Sequence, residues 1–410
     1  MSNPRLWAAT LAAALLPILA EGATLSLESA LDMAVQRSEA ARSGRAGRLS
    51  AAEAARSAGQ LPDPMLTLGV ENLPVTGADR LSTSRDSMTM KRVGISQEWL
   101  SRDKRAARTA AAEAAVMREE AQTQASIADT RLQTALAYLD AFYAGEALKL
   151  TTLMEHHAHE ELEAARGRFA SATSASQEVL ALVGARGAAE DESAQIRQEQ
   201  SAALVNLERW VGMRSDELRP PAESPTPSEE SYIAAHPSVL ALSRSLELAK
   251  RQVAVTAGER SPNWTWGVSY GQRTGYSDMV SFGVSIPIPL SASERQDRDT
   301  AAKLALADKA EADLAEATRA ATAEYRALTS DVQRLQDRIV RYQTGVVVPA
   351  TQRISVATAA YASNRSNLLT LFEARHAEVD AQRKLLSFRR DLAKAEAKLR
   401  LKPIALGARP

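Results

Sequence analysis

The sequence of 410 residues contains no cysteine, few aromatic residues and no excess of charge of either sign. Without cysteine the chain can form no disulfide, no thiolate metal site, no cysteine nucleophile and no acylated lipoprotein cysteine. The 50 Lys and Arg residues are matched by 50 Asp and Glu residues, so the basic excess typical of nucleic-acid-binding proteins is missing. The abundance of Ala, Glu, Arg, Gln and Leu favours long helices. The length is sufficient for two or three domains.

Long hydrophobic runs are also missing, except at the N-terminus. Arg5 precedes an apolar stretch from Leu6 to Ala20, and small residues follow it. A basic start, an apolar core of about 7–15 residues and a small-residue exit are typical of a secretory signal peptide. A membrane anchor is the alternative, but a spanning helix needs about 20 apolar residues. We therefore expect a signal peptide at residues 1–22 and a mature chain that works beyond the inner membrane without a transmembrane helix.

The two halves of the remaining chain correspond to each other. Three pairs of segments recur in the same order, at separations of 189–198 residues. The pairs are Gly59–Val70 with Gly258–Val268, Val93–Arg105 with Phe282–Arg295, and Arg168–Leu180 with Ala360–Phe372. A Pro- and Ser-rich segment that cannot continue a helix separates the halves. The predicted domains are a first repeat at 23–218, a linker at 219–231, a second repeat at 232–402 and a tail at 403–410.

Each repeat is predicted to contain one helix, two strands and two further helices. In the second repeat, apolar residues from Tyr325 to Val346 recur at alternating spacings of three and four, which is a heptad seam. Residues 293–346 contain no proline and, near their end, Gly345, so they predict a helix about 80 Å long. A similar helix is predicted from Ser101 to Arg166. Helices of this length fit a rod, a bundle or a tube rather than a compact globule.

Four shorter segments alternate large apolar residues with small or polar ones. The apolar positions are Leu66, Leu68 and Val70; Val93, Ile95 and Trp99; Trp264, Trp266, Val268 and Tyr270; and Val280, Phe282, Val284 and Ile286. Such alternation is typical of transmembrane β-strands, although a half-buried soluble sheet alternates equally well. Because a signal peptide is predicted, we favour transmembrane strands over a soluble sheet. The candidate membrane-facing aromatic residues are Trp99, Trp264, Trp266 and Phe282. Because four strands cannot close a pore, several chains would have to share one barrel.

The two helix-to-helix turns carry the most specific pattern. They run from Phe169 to Leu180 and from Tyr361 to Ala374. With the duplicated halves, the four strands and the strand-to-helix segment Ser285–Leu290, they resemble the outer-membrane efflux protein family, the TolC-like channels. The family has a glycine in each turn, which Ala172 and Asn364 replace here. Asparagine adopts the left-handed backbone conformation readily, and alanine does so poorly.

The resemblance implies a mainly α-helical fold with a small β part. Three identical chains would form one transmembrane β-barrel in the outer membrane and one long coiled-coil tube across the periplasm. The implied function is passive conduction of substrate from an inner-membrane resistance–nodulation–division pump and a periplasmic adaptor, with outer-membrane lipid as surroundings. It implies no cofactor and no enzymatic activity, and the sequence shows none of the common hydrolase, metalloprotease, P-loop or dinucleotide-binding motifs.

The segment from Pro62 to Pro74, together with Met88 and Met90, resembles the heavy-metal branch of the family. Heavy-metal cations are therefore the expected substrate. A general drug-efflux channel and a type I secretion duct are alternatives within the same family. A soluble periplasmic coiled-coil adaptor is the alternative from another class, but an adaptor would show a single helical hairpin within Gly- and Val-rich β domains.

The resemblance also places the channel tip and gate at the two turns. The residues assigned to it are Glu373, Thr370, Glu178, Ala172 and Asn364. Relatives carry a ring of acidic side chains there; this sequence keeps Glu373 and has Thr370 at the second carboxylate position. Three copies of Glu373 would favour the passage of cations. The alternative is an ordinary surface ion pair of Glu373 with Arg365 or Arg375.

A weaker hypothesis concerns direct contacts with a metal ion. The candidate residues are His156, His159, Glu160, Met88 and Met90. Imidazole and carboxylate groups bind zinc, cobalt or copper, but His156 with Glu160 or His159 supplies two ligands at most. His157 continues the Leu150–Leu153 spacing, which favours packing in a helix seam. Methionines of this kind more often face lipid or fill gaps.

Overall fold

The computed structural model describes residues 24–170, 176–222 and 225–404. Within them the chain is mainly helical, with one four-stranded antiparallel sheet, which confirms the predicted combination of long helices and a small β part. The predicted signal peptide and Ala172 lie outside the described residues.

The helices are long, and several of them begin at a local capping group. The first half contains α1 (Leu27–Arg37), α2 (Glu39–Ala58), α3 (Arg102–Ala170) and α4 (Ser176–Val211). The second half contains α5 (Glu229–Ala234), α6 (Pro237–Gly258), α7 (Gln296–Tyr342), α8 (Val348–Ala362) and α9 (Leu368–Leu401). Ser26 and Ser38 cap α1 and α2 by accepting a backbone N–H through the hydroxyl, as N-cap residues do. No helix in the described ranges has an apolar stretch long enough to cross a membrane.

The helix predicted at residues 293–346 does not end near Gly345. A single π-helical turn, Gln343–Val347, follows α7 and leads directly into α8. Pro349 explains this wider turn, because proline has no N–H to donate and its ring clashes with a regular helical backbone. Helical structure therefore continues to Ala362, and the predicted end was wrong.

The sheet contains β1 (Met65–Glu71), β2 (Met90–Trp99), β3 (Trp264–Gln272) and β4 (Met279–Ser285), paired in that order. Its register gives the two faces opposite characters. One face aligns Leu66, Ile95, Val268 and Phe282 across the four strands, and the other aligns Thr67, Gly94, Ser269 and Ser281. Since β2 leads into α3 and β4 precedes α7, the sheet lies at one end of the long helices and the two turns lie at the other.

Helix α3 is the centre of the packing. It has 69 residues and is about 100 Å long; α1, α2, α4, α6 and α9 all pack against it. Buried alanines follow each other at intervals of seven residues along its first half. They are Ala114, Ala121, Ala128 and Ala135. Small side chains at heptad spacing let neighbouring helices approach closely and follow one seam. Gly44 of α2 shows this approach, because a Cβ there would lie 2.8 Å from the Thr123 hydroxyl of α3.

A buried tyrosine hydroxyl ties the start of the chain to α3. The hydroxyl oxygen of Tyr138 lies 2.7 Å from the carbonyl oxygen of Leu25 and 2.8 Å from that of Arg219, so its single proton is shared between two acceptors. Burial raises the pKa of Tyr138 to about 12, so the hydroxyl remains a donor at physiological pH. The second half has a similar contact, since Tyr325 of α7 donates to the carbonyl oxygen of Pro227 at 3.1 Å. In both halves the acceptor directly precedes the serine that caps the next helix.

We expect Tyr138→Phe to lower the free energy of unfolding by about 1–3 kcal/mol, because it removes the donor of the Arg219 carbonyl oxygen. The carbonyl oxygen of Leu25 keeps the backbone N–H of Arg219, at 3.0 Å. Thermal unfolding of the purified protein in detergent, followed by circular dichroism, measures the loss. Tyr143→Phe is the matched control, since Tyr143 lies on the same helix and its hydroxyl has no hydrogen bond to any described residue. Equal free energies of unfolding for Tyr138→Phe and Tyr143→Phe would contradict a stabilising role of the Tyr138 hydroxyl.

Candidate functional site

The turn between α8 and α9 has the backbone conformation that its sequence permits. Asn364 has a φ of 55°, in the left-handed region that asparagine tolerates better than other non-glycine residues. The N–H of Arg365 donates to the carbonyl oxygen of Ala360 at 2.8 Å and closes the end of α8. This confirms that Asn364 adopts the left-handed conformation expected of it.

Thr370 takes part in the cap of α9. Its backbone N–H and its hydroxyl both donate to the side-chain oxygen of Asn367, at 3.0 and 2.8 Å. Asparagine is among the best N-cap residues, and the hydroxyl of Thr370 strengthens this cap. The role of Thr370 at a channel entrance stays a prediction.

Glu178 connects the two turns. One carboxylate oxygen accepts the backbone N–H of Leu368, the first residue of α9, at 2.9 Å. A negative charge at a helix N-terminus is favourable because it satisfies a free N–H and interacts with the helix dipole. Glu178 therefore fixes the beginning of α4 against the beginning of α9. This contact does not test the predicted role of Glu178 in a gate, which stays a prediction.

Glu373 is exposed on the first turn-and-a-half of α9. Neither of its expected partners pairs with it within the described chain. Arg375 instead donates to a carboxylate oxygen of Glu161 at 2.6 Å, and Arg365 forms no ion pair with a described residue. Among the described residues, no ion pair neutralises the charge of Glu373, and an electrostatic role at an entrance requires such an unpaired charge.

Glu161 of α3 was not among the residues predicted from the sequence. Its side chain is 5% exposed, and one of its carboxylate oxygens has no hydrogen-bond partner in the described part of the chain. Burial raises the pKa of Glu161 to about 7, although the adjacent Arg375 guanidinium favours the charged form. Its spacing after the buried residues Met154 and Ala158 is the signal that could have identified a carboxyl group on the apolar side of α3.

The pH dependence of stability should report on Glu161. The folded carboxyl keeps its proton up to about pH 7, whereas an unfolded glutamate releases it near pH 4.5. The stabilisation is therefore complete below about pH 4.5 and is lost as the pH rises to about 7. We expect wild type to lose thermal stability relative to Glu161→Gln between about pH 5 and pH 7.5.

Glu163→Gln is the matched control for this pH series. Glu163 lies two residues away, is half exposed and pairs with Arg166 on its own helix. Its replacement should therefore leave the dependence of thermal stability on pH unchanged. If thermal stability changes equally with pH in wild type and in Glu161→Gln, the carboxyl of Glu161 has the same pKa in the folded and the unfolded protein, and the prediction is wrong.

The histidines near the middle of α3 form a small surface group. His156 lies 3.2 Å from a carboxylate oxygen of Glu160, and His157 lies 3.5 Å from the other oxygen. His159 is exposed and forms no ion pair with a described residue. Within the described ranges, the potential metal ligands that converge in a group of three are instead Glu192, His376 and Asp380. The role of His156, His159 and Glu160 in metal contact stays a prediction.

The two methionines before β2 have different surroundings. Met88 is 61% exposed in the connection between β1 and β2. Met90 begins β2, and its sulfur lies 3.1 Å from the position that a Cβ of Gly271 would occupy. Thr89 between them is buried and donates to the carbonyl oxygen of Asn72 at 2.9 Å. Met90 therefore fills space beside a glycine of β3, and the proposed metal contact of both sulfurs stays a prediction.

The apolar face of the sheet is open to its surroundings. Phe282 is 80% exposed and Leu68 is 71% exposed. Trp99 ends β2 and Trp264 begins β3; their rings lie 6.0 Å apart and both are more than one-third exposed. Trp266, 36% exposed, lies on the same face. A continuous apolar surface of this kind marks contact with a membrane or another chain, and indoles at its end suit a boundary between an apolar and an aqueous phase.

Solved structures of other proteins share the arrangement of helices and sheet described above. No family model matches the sequence, and no curated protein matches it. Among solved structures, the outer membrane protein VceC from Vibrio cholerae is 19% identical, with a TM-score of 0.75 over 91% of this chain and 94% of that chain. This chain has the fold of an outer-membrane channel. The Campylobacter jejuni outer membrane channel CmeC gives a TM-score of 0.76 at 12% identity over 92% of this chain and 85% of that chain.

CusC, whose structures describe transmembrane channel formation, is also similar. It gives a TM-score of 0.74 at 14% identity, over 92% of this chain and 91% of that chain. The likeness covers both the helices and the sheet, so the two parts belong to one architecture.

Proposed function

We propose that this chain is a subunit of an outer-membrane efflux channel that conducts substrate passively from the periplasm to the outside. The observation that carries the proposal is the exposed apolar face of the sheet at one end of very long helices. A soluble protein would bury such a face or cover it with another element. Lipid of the outer membrane is the environment that this face suits.

The functional unit is proposed to be a homotrimer. The sheet of one chain leaves β1 and β4 as edges, and their unpaired backbone groups cannot remain exposed to lipid. Four strands are too few to close on themselves, so further copies supply the missing neighbours. Three copies would form one barrel and continue into a tube of helices such as α3, which is about 100 Å long and suits a span across the periplasm.

The chain is proposed to be duplicated internally, with repeats at 23–218 and 232–402. Both halves contain two strands followed by a long helix and an antiparallel return helix. The hydroxyls of Tyr138 and Tyr325 bind the backbone just before a helix cap in each half. Export by a signal peptide at residues 1–22 would place the chain beyond the inner membrane.

A periplasmic adaptor and an inner-membrane resistance–nodulation–division pump are the proposed partners. The two turns would meet them, because they lie at the end of the helices opposite the sheet. A soluble adaptor is disfavoured as the identity of this chain, since α3 with α4 and α8 with α9 form two hairpins rather than one. Heavy-metal cations are the proposed substrate, supported by the carboxylate of Glu373 at the turn, which forms no ion pair with any residue that the structure describes.

Purified protein in planar lipid bilayers should show single-channel conductance that is selective for cations. We expect Glu373→Gln to reduce this selectivity, because three carboxylates near a narrow opening attract cations. Glu378→Gln is the matched control on the same helix, since its carboxylate already accepts a hydrogen bond from Thr351 at 3.2 Å. An absence of conductance would contradict the proposal that this chain forms a channel. Unchanged selectivity in Glu373→Gln would contradict only the proposed ring of Glu373 carboxylates.

The substrate is tested in a deletion strain complemented with this gene and its native pump. Sensitivity confined to copper, silver, zinc, cobalt or cadmium, restored by the gene, is the result expected for metal export. Sensitivity to dyes and detergents would identify general drug efflux, and loss of a secreted protein would identify a type I secretion duct. Both results would contradict the metal substrate.

A further inference from the structure

We propose that Glu192, His376 and Asp380 form a binding site for a divalent transition-metal ion between α4 and α9. One potential ligand atom from each of the three side chains lies within 4.8 Å of the others. Glu192 is contributed by α4, and the other two are contributed by α9. An ion held by these three groups would connect the helices that follow the two turns.

The two ligands on α9 already have a suitable spacing. Residues four apart on a helix share one face, and His376 Nε2 lies 3.6 Å from a carboxylate oxygen of Asp380. Ligands bound to zinc at about 2.0–2.1 Å in tetrahedral geometry are roughly 3.4 Å apart. The pair therefore needs little movement to bind a common ion. Phe372 stacks on the imidazole with centroids 5.8 Å apart, which limits the freedom of the ring.

The donor set selects the class of ion. One imidazole and two carboxylates suit zinc, cobalt, nickel or copper, whereas calcium and magnesium favour oxygen ligands alone. Glu192 and His376 are both half-buried, and partial burial strengthens their attraction for a cation.

Arg383 is the competitor of the metal ion. Its guanidinium contacts the carboxylate of Glu192 and lies 3.6 Å from that of Asp380. A metal ion must displace this guanidinium from Glu192 before all three ligands are available. The fold therefore holds Glu192 in place while metal is absent, and the same ion pair lowers the affinity for metal. Removing the guanidinium should raise that affinity.

The site differs from the histidine group on α3. His156 also has a carboxylate four residues later, with a contact of 3.2 Å to Glu160, but no further carboxylate from another helix converges there among the described residues. The histidine group on α3 therefore offers fewer ligands than the group between α4 and α9. The inference concerns binding to the helices and does not depend on which substrate the channel exports.

The experiment titrates the purified full-length protein with Zn²⁺ by calorimetry and with Co²⁺ by visible absorption. We expect one saturable site per chain, which His376→Gln and Asp380→Asn each weaken by at least about tenfold. Glu378→Gln should leave it unchanged, because Glu378 lies on α9 between the two ligands but accepts a hydrogen bond from Thr351 instead. The absence of a saturable site in wild type would overturn the proposal, as would equal weakening by Glu378→Gln and His376→Gln.

Arg383→Gln provides a second test that a folding defect cannot imitate. This variant should bind Zn²⁺ more tightly than wild type by at least about tenfold, because it releases Glu192 without removing a ligand. Zinc should also raise its thermal unfolding temperature more than that of wild type. Weaker or equal zinc binding in Arg383→Gln would overturn the proposed competition. Conductance measured in the same preparations separates a failure of this site from a failure of the channel.

Discussion

Close helix packing along α3 is the constraint on which the rest of the structure depends. Alanines at seven-residue intervals, from Ala114 to Ala135, let helices from both halves approach one continuous axis. A helix of this length extends through more than one hydrophobic cluster, so its stability comes from side chains packed against its neighbours along its length. The sheet and the turns are consequently held at opposite ends. A function that needs the sheet and the turns far apart would follow from this one geometry.

Polar groups then fix other segments against the long helices. Near the middle of α3, the hydroxyl of Tyr138 holds the N-terminal segment by a proton shared between two carbonyl oxygens, and Glu178 holds the beginning of α9. Glu161 and Arg375 form an ion pair within the helices close to the turns. Such buried groups are costly unless they are satisfied, and they therefore favour one arrangement of the hairpins over others that would pack equally well.

Periodicity and alternation in the sequence were sufficient to predict the long helices and the strands, but the single helix predicted before the strands of each repeat was wrong, because two helices lie there in both halves. The helix predicted from Ser101 to Arg166 agrees closely with α3, and each apolar alternation coincides with a strand. The end of α7 was predicted wrongly because the effect of Pro349 depends on whether the helix can widen into a π turn. Of the candidate site, the sequence located Glu178, Thr370 and Glu373 at the turns, but it did not reveal what Glu178 and Thr370 bind.

The sequence by itself determined which segments are helical, which are strands, and that one face of each strand is apolar. These properties are local, since they depend on spacing along the chain. Only the tertiary structure brought Arg375 to Glu161 and Glu192 to His376, because these partners come from separate helices and no spacing encodes their approach. It also decided that the apolar faces of all four strands coincide, since strand register is a property of pairing rather than of any one strand.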